Sequence, residues 1–253
     1  MTNYIRSYSA GDILRSSLAI YWANFTTIAA ISVLPMLPVV IVQGVSELEK
    51  GITPSDFLVV LLNILIGLLT TASITVAVSD VCLGHEPHLQ RSYRRAFSEM
   101  PGKVIGTGLL LFVILGVGFI LLLVPGVLFF LWYLLAIPVV VLERVGGMAA
   151  LRRSRELGKG FFLRNAGVYL LLFVVLYVPF VITIFGGGTL FGYLGDSLGL
   201  DEHTILLVSA SLGGIIGALF TPIFTIGIVL LYYDMRVKKE AYDLQSLADE
   251  LRR

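Results

Sequence analysis

Six apolar runs separated by short polar and charged segments dominate the chain, at about residues 24–42, 57–78, 104–124, 127–142, 165–185 and 204–232. Each approaches the roughly 20 residues that a helix needs to cross a bilayer. The fourth is short, and the sixth is long enough to tilt. Runs three and four meet at Val124-Pro125-Gly126, and a proline-glycine pair inside an apolar stretch predicts a tight turn. The pattern predicts an all-α polytopic membrane protein with six transmembrane helices.

Composition fixes the solvent. Of 253 residues, 57% are apolar and only 14% are Asp, Glu, Lys or Arg, against about 25% in a soluble domain. A water-soluble fold of this size is excluded, because it could not cover its surface with charge. The net charge of +1 gives no polyanion-seeking balance, so no nucleic-acid partner is expected. A single cysteine, Cys82, rules out an intramolecular disulfide framework and any multi-cysteine metal site. No cleavage pattern follows the first apolar run, so the N-terminus is expected to be mature.

The charges alternate by side. Arg6 and Arg15 precede the first run, and Arg91, Arg94, Arg95 and Lys103 separate the second from the third. Arg144, Arg152, Arg153, Arg155, Lys159 and Arg164 separate the fourth from the fifth, and Arg236, Lys238, Lys239, Arg252 and Arg253 follow the sixth. The other side holds Lys50 and the acids Glu47, Glu49, Asp56, Asp196, Asp201 and Glu202. Seventeen basic residues against one predict an inner-membrane protein with both termini cytoplasmic.

A basic amphipathic stretch precedes every odd-numbered run: Asp12 to Leu18, Leu89 to Phe97, and Ala150 to Leu157. Each couples Leu to Arg-Ser before an apolar span, which predicts three copies of a unit made of an interfacial elbow helix and a transmembrane hairpin. The plainer alternative is that cytoplasmic loops become basic and amphipathic anyway.

Several motifs stand out: Val139 to Glu143 followed by Ala149-Ala150-Leu151-Arg152-Arg153-Ser154-Arg155-Glu156-Leu157-Gly158-Lys159-Gly160, the Val124-Pro125-Gly126-Val127 turn, and Leu231-Tyr232-Tyr233-Asp234-Met235-Arg236 running on to Tyr242-Asp243-Leu244. Together they resemble the glycerophosphoryl diester phosphodiesterase membrane-domain family. The opening Gly11-Asp12-Ile13-Leu14 to Trp22-Ala23-Asn24-Phe25 is similar to the family's start. The resemblance implies a stand-alone membrane domain of the kind that other members fuse to a soluble catalytic phosphodiesterase. With only His85, His88 and His203 and no carboxylate-rich metal constellation, no phosphodiesterase activity and no cofactor are expected.

Cys82, His85 and His88 lie close enough in sequence to suggest a soft divalent cation. Pro87 breaks the helix that would align them, so a polar loop at headgroup level is the better expectation. No ionisable residue falls inside a run, which argues against a proton-coupled carrier. In the second run Asn63, Gly67, Thr70 and Thr71 share a helical face, either as a polar groove or as small-residue packing. Ser209, Gly213 and Gly217 form a small-residue stripe of the same sort, while Pro35, Pro38, Pro138, Pro179 and Pro222 predict kinks.

The remaining candidates form a basic belt. Arg91, Arg94 and Arg95 on one elbow and Arg152, Arg153 and Arg155 on another would sit at phosphate depth. The competing role is to fix topology and to pair with Asp80, Glu99, Glu143 or Glu156. The tail beyond residue 234 repeats Ala241, Leu244, Leu247, Ala248 and Leu251 at helical spacing and is expected to dock as a cytoplasmic helix. The expected function is non-catalytic: organising or sensing anionic phospholipid of the bilayer, or acting as a membrane-embedded partner, in a homo-oligomer or with another membrane protein. A small transporter or lipid translocator using the second span is the alternative, and a membrane enzyme on lipid phosphates the third.

Overall fold

A computed structural model describes residues 4–5, 7–46, 54–199 and 202–240. In these the chain is an all-α polytopic membrane protein. Four helices are long and apolar enough to cross a bilayer, or six spans result if each of two sharply bent helix pairs counts as one. Its outer surface supports the same solvent. Ile120, Leu121 and Leu122 on one hairpin and Leu163 and Leu170 on another are exposed, a lipid-facing array that water would not tolerate.

The elements follow one order three times. Helix α1 (Ala10–Ala23) begins with a reciprocal cap, in which Ser9 Oγ accepts from the Asp12 N–H and Asp12 Oδ2 accepts from the Ser9 N–H, both at 3.2 Å. It ends at Asn24 and turns by 88° into α2 (Phe25–Val33) and α3 (Met36–Ser46), which are separated at Leu34-Pro35, and α4 (Pro54–Cys82) returns. The second elbow is α5 (Leu89–Arg94), whose last turn widens into a π-helical turn (Arg95–Glu99). Its hairpin is α6 (Pro101–Leu121) with α7 (Leu123–Tyr133) and α8 (Ala136–Glu143). The third elbow, α9 (Met148–Gly158), turns by 102° into α10 (Phe162–Leu198), and α11 (Glu202–Glu240) returns.

Two expectations need correction. The middle hairpin turns at Leu122, whose backbone is extended (φ −167°, ψ 149°), and not at Val124-Pro125-Gly126. Pro125 and Gly126 lie in the first turn of α7, where the missing proline N–H has no intrahelical partner to lose. Gly126 instead permits close approach: a Cβ there would sit 2.5 Å from the Phe119 ring, and one on Gly118 would sit 3.1 Å from the Gly126 Cα. Gly126→Leu is therefore expected to splay α6 from α7 and cost about 1–3 kcal/mol, read as a lowered melting temperature in detergent. The fifth and sixth runs are also underestimated. Helices α10 and α11 have 37 and 39 residues, about 55 Å or more each at 1.5 Å per residue. The polar residues near their ends do not stop them, and the chain leaves α10 only at Gly199, with φ 70°.

The interior is densest at the end where the elbows pack. Every residue of α8 from Ala136 to Leu142 is buried, as is α11 from Ile228 to Met235. By contrast only 22% of the α6 span is buried. The elbows supply a third layer at one end of the bundle, which two-layer helix packing at the other end lacks. The first elbow does this by lying alongside α11: Tyr8 N–H donates to Asp234 at its start and Tyr21 OH donates to the Leu219 carbonyl at its end. Its buried face, Ile13, Ser17, Ile20 and Tyr21, has the i, i+4, i+7, i+8 spacing of a packed helical stripe.

Candidate functional site

Each hairpin closes on an acid at the elbow end. Asp80 lies in the last turn of α4, Glu143 ends α8, and Asp234 lies in α11, with side chains 2%, 14% and 0% exposed. Each faces an elbow. Asp80 Oδ1 lies 3.5 Å from Arg91 Nη1 on the second elbow. Glu143 takes a two-pronged bond from Arg153 Nε on the third, at 2.8 and 3.1 Å. Asp234 closes the cycle on the segment entering the first: Oδ1 accepts the Tyr8 N–H at 2.7 Å and Lys238 Nζ lies 2.8 Å from it, while Arg164 Nη1 lies 2.7 Å from Oδ2. Arg164 also donates to the Tyr8 carbonyl at 2.6 Å, so both peptide groups of that residue are held.

Three consecutive residues of α11 tie these clasps together. Tyr232 OH donates to Glu143 Oε1 at 2.9 Å, Tyr233 OH donates to Ser79 Oγ beside Asp80 at 3.1 Å, and Asp234 is itself the third clasp. Glu240 bridges Arg153 Nη2 at 2.5 Å and Arg236 Nε at 2.8 Å. Lys239 donates to the Glu156 carbonyl on the third elbow. Removing one partner of such a desolvated pair strands the other charge, which is why these contacts hold the elbows.

The six belt arginines separate into different roles. Arg153 is committed to Glu143 and Glu240. Arg155 stacks its guanidinium 4.5 Å above the Trp132 ring, and the neighbouring Ser154 hydroxyl donates to the Trp132 carbonyl at 2.9 Å. Arg152 is exposed. Arg91 and Arg94 are 47% and 71% exposed, and each reaches its carboxylate, Asp80 or Glu99, only at 3.5 Å. Charge-assisted bonds at full strength are nearer 2.8 Å. Arg95 is buried, and neither Nε nor Nη2 has a hydrogen-bond partner among the described residues. Burial first, and the charge of Arg144 second, hold its guanidinium below its ordinary pKa, with Glu99 and Asp80 opposing. Three of the expected acid pairings are therefore present, to Asp80, Glu99 and Glu143.

The second elbow is docked by Tyr93, whose hydroxyl lies 3.2 and 3.0 Å from the Ala30 and Ile31 carbonyls of α2. Burial pushes its phenol up to about 12, so it remains a donor at neutral pH. The metal candidates are not brought together. Cys82 is buried, His85 and His88 are exposed, and no group of three metal-ligating side chains forms among the described residues. The loop runs outward because the helix carrying Cys82 has ended.

The polar face of the second span also divides. Asn63 and Thr71 spend their donors on their own helix, at the Val59 and Gly67 carbonyls. Thr70 is buried with an unpartnered hydroxyl oxygen. Only Thr71 borders a cavity, of about 200 Å³, together with Thr221, Thr225, Tyr133 and an apolar remainder. This cavity borders the break between α7 and α8 at Leu134-Leu135, where Pro138 has no N–H for the Leu134 carbonyl, and meets α11 at Thr221, Phe224 and Thr225, beside Pro222, which that helix carries without a break.

Asp234 and its three partners had no place among the sequence candidates. A usable signal exists, since the second span of every hairpin ends in an acid, Ser79-Asp80, Leu142-Glu143 and Tyr233-Asp234. The tail residues 241–253 and the charges at Arg6, Lys50 and Asp201 lie outside the described residues.

The assembled site is therefore a charge-clasped collar at one end of a polytopic helical bundle. No protein-family model, no curated protein and no solved structure matches the chain.

Proposed function

We propose that this is a non-catalytic inner-membrane protein that organises or senses anionic phospholipid through its collar, with both termini cytoplasmic. The observation that carries the reading is the pairing of exposed cations with exposed apolar anchors on the collar. Arg91, Arg94 and Arg152 are exposed beside Phe97 on the second elbow and Met148 on the third, with Leu163 just beyond it. Each exposed basic residue gains about 1 kcal/mol near an anionic leaflet, and the apolar anchors hold it there. The family resemblance supports a membrane domain without its own phosphodiester chemistry.

Native mass spectrometry of the protein extracted with its lipids tests this directly. Enrichment of anionic lipid over the surrounding membrane is expected; a co-purifying lipid complement identical to the bulk would overturn the reading. The same spectra report whether the chain associates with itself. The cavity at Thr71 beside the break between α7 and α8 favours a second reading, a small transporter or lipid translocator. Solute flux into proteoliposomes that is abolished by filling the cavity with Thr71→Phe would establish it over the first.

A further inference from the structure

The second elbow differs from the other two. It alone among the described elbows contains a π-helical turn, a distortion that often accompanies functional sites. That turn carries Arg95 into the interior, 6% exposed, with two guanidinium nitrogens unpartnered. The charged side chains that act on it include Arg144 and Arg91 as well as Glu99 and Asp80, two of each sign, so these four leave the charge of Arg95 itself unmatched. Lys103, which donates to the Arg144 carbonyl at 2.9 Å, adds another cation at this joint. Arg144 itself has a positive φ of 56° at the end of α8, a position that glycine fills at lower cost. Beside this joint is an open cleft of about 400 Å³ lined by His88, Leu89, Gln90, Arg91 and Arg94, within the size range of small-molecule sites.

We propose that this cleft on the second elbow is a binding site for one phosphomonoester group, held by the Arg91 and Arg94 guanidiniums over the buried charge of Arg95. The proposal rests on the lipid reading only for the source of the phosphate. Arg91 and Arg94 suit the role because their long carboxylate contacts leave forked N–H donors available, and two planar forks match tetrahedral phosphate oxygens. Arg153, by contrast, has its donors committed. Arg95, the next residue after Arg94 and buried with two unpartnered guanidinium nitrogens, adds its positive charge to the potential of this elbow. It favours a doubly charged monoester over a singly charged diester. The ligand is therefore the terminal phosphate of a phosphatidic acid headgroup or a free phosphomonoester of the same chemistry.

The test uses the full chain in phosphatidylcholine nanodiscs doped with phosphatidic acid or with phosphatidylglycerol, and reads retained lipid by native mass spectrometry. Wild type is expected to keep phosphatidic acid in preference to phosphatidylglycerol. R91Q/R94Q should lower that retention by about tenfold or more, whereas R152Q on the third elbow, which contributes only to the general attraction for anionic lipid, should weaken both lipids alike and leave the preference for phosphatidic acid over phosphatidylglycerol within about twofold. R91Q gives up the long Asp80 contact at 3.5 Å, so a somewhat lower melting temperature is expected, and a cooperative melting transition without lipid shows that the variant is folded. Arg95→Lys, which keeps the buried charge, should retain the monoester preference. Displacement of phosphatidic acid by glycerol 3-phosphate identifies a site open to free phosphomonoesters, and resistance to it a headgroup site; both outcomes support the assignment. Equal losses of preference in R91Q/R94Q and R152Q, or undiminished retention in R91Q/R94Q, would overturn it. Anionic lipid enriched on wild type but indifferent to R91Q/R94Q sinks this site alone, whereas no enrichment on wild type sinks the lipid reading as well.

Discussion

Asp234→Asn is expected to cost about 3–5 kcal/mol, a large share of the 5–15 kcal/mol typical of a folded protein. The substitution keeps the shape of the side chain and an oxygen for the Tyr8 N–H. It removes the charge that Arg164 and Lys238 share, at 2.7 and 2.8 Å, from a carboxylate with no solvent exposure. Arg164 and Lys238, 27% and 21% exposed, then face each other without their shared counter-ion. The loss should appear as a large drop in melting temperature in detergent and as protease sensitivity at the first elbow, where Tyr8 is released. Lys238→Ala, which removes only the outer and partly exposed cation, should cost far less. Equal melting temperatures for Asp234→Asn and wild type would show that the clasp does not hold the fold.

Glu143→Gln comes second, at about 3 kcal/mol, the low end of the same range. It leaves Arg153 one carboxylate, Glu240 at 2.5 Å, so the stranded charge is only partly uncompensated. Tyr232 loses a charged acceptor at 2.9 Å, and Tyr232→Phe alone should cost about 1 kcal/mol. The pair Glu143→Leu with Arg153→Met separates the interaction from the burial. The double variant should be more stable than the sum of its single variants by about 0.5–3 kcal/mol, read from melting curves of all four proteins. Strict additivity would mean that Glu143 and Arg153 touch without coupling.

The spans were legible because the bilayer selects for them directly: a run such as 104–124 has to be apolar all round to lie in lipid. The elbows were legible because a basic amphipathic stretch beside an apolar run has few other places to go. Asp80 and Glu143 could be named as partners for the arginines, since each lies just before the elbow it holds. Asp234 could not, because the Tyr8 N–H lies 226 residues away and a backbone donor has no residue identity to read, while Arg164 reaches it from the start of another hairpin. The break at Leu134-Leu135 was legible as a kink at Pro138, but the π-helical turn at Arg95 was not. That turn depends on what packs against the helix: Tyr93 seats it on α2. The cleft on the second elbow follows from that seating, so the sequence offered its arginines without separating Arg91 and Arg94 from Arg153.

The bond between Tyr8 and Asp234 also sets a timetable. All three hairpins must be synthesised before the carboxylate that seats the first elbow exists. At about 5–20 residues per second, the first elbow waits roughly 10–45 s after its own synthesis for its partner to leave the ribosome. During that interval Ile13, Ile20 and Tyr21 have no α11 to lie against. The first elbow thus becomes the last to lock, and a chain cut short before residue 234 would carry it unlatched.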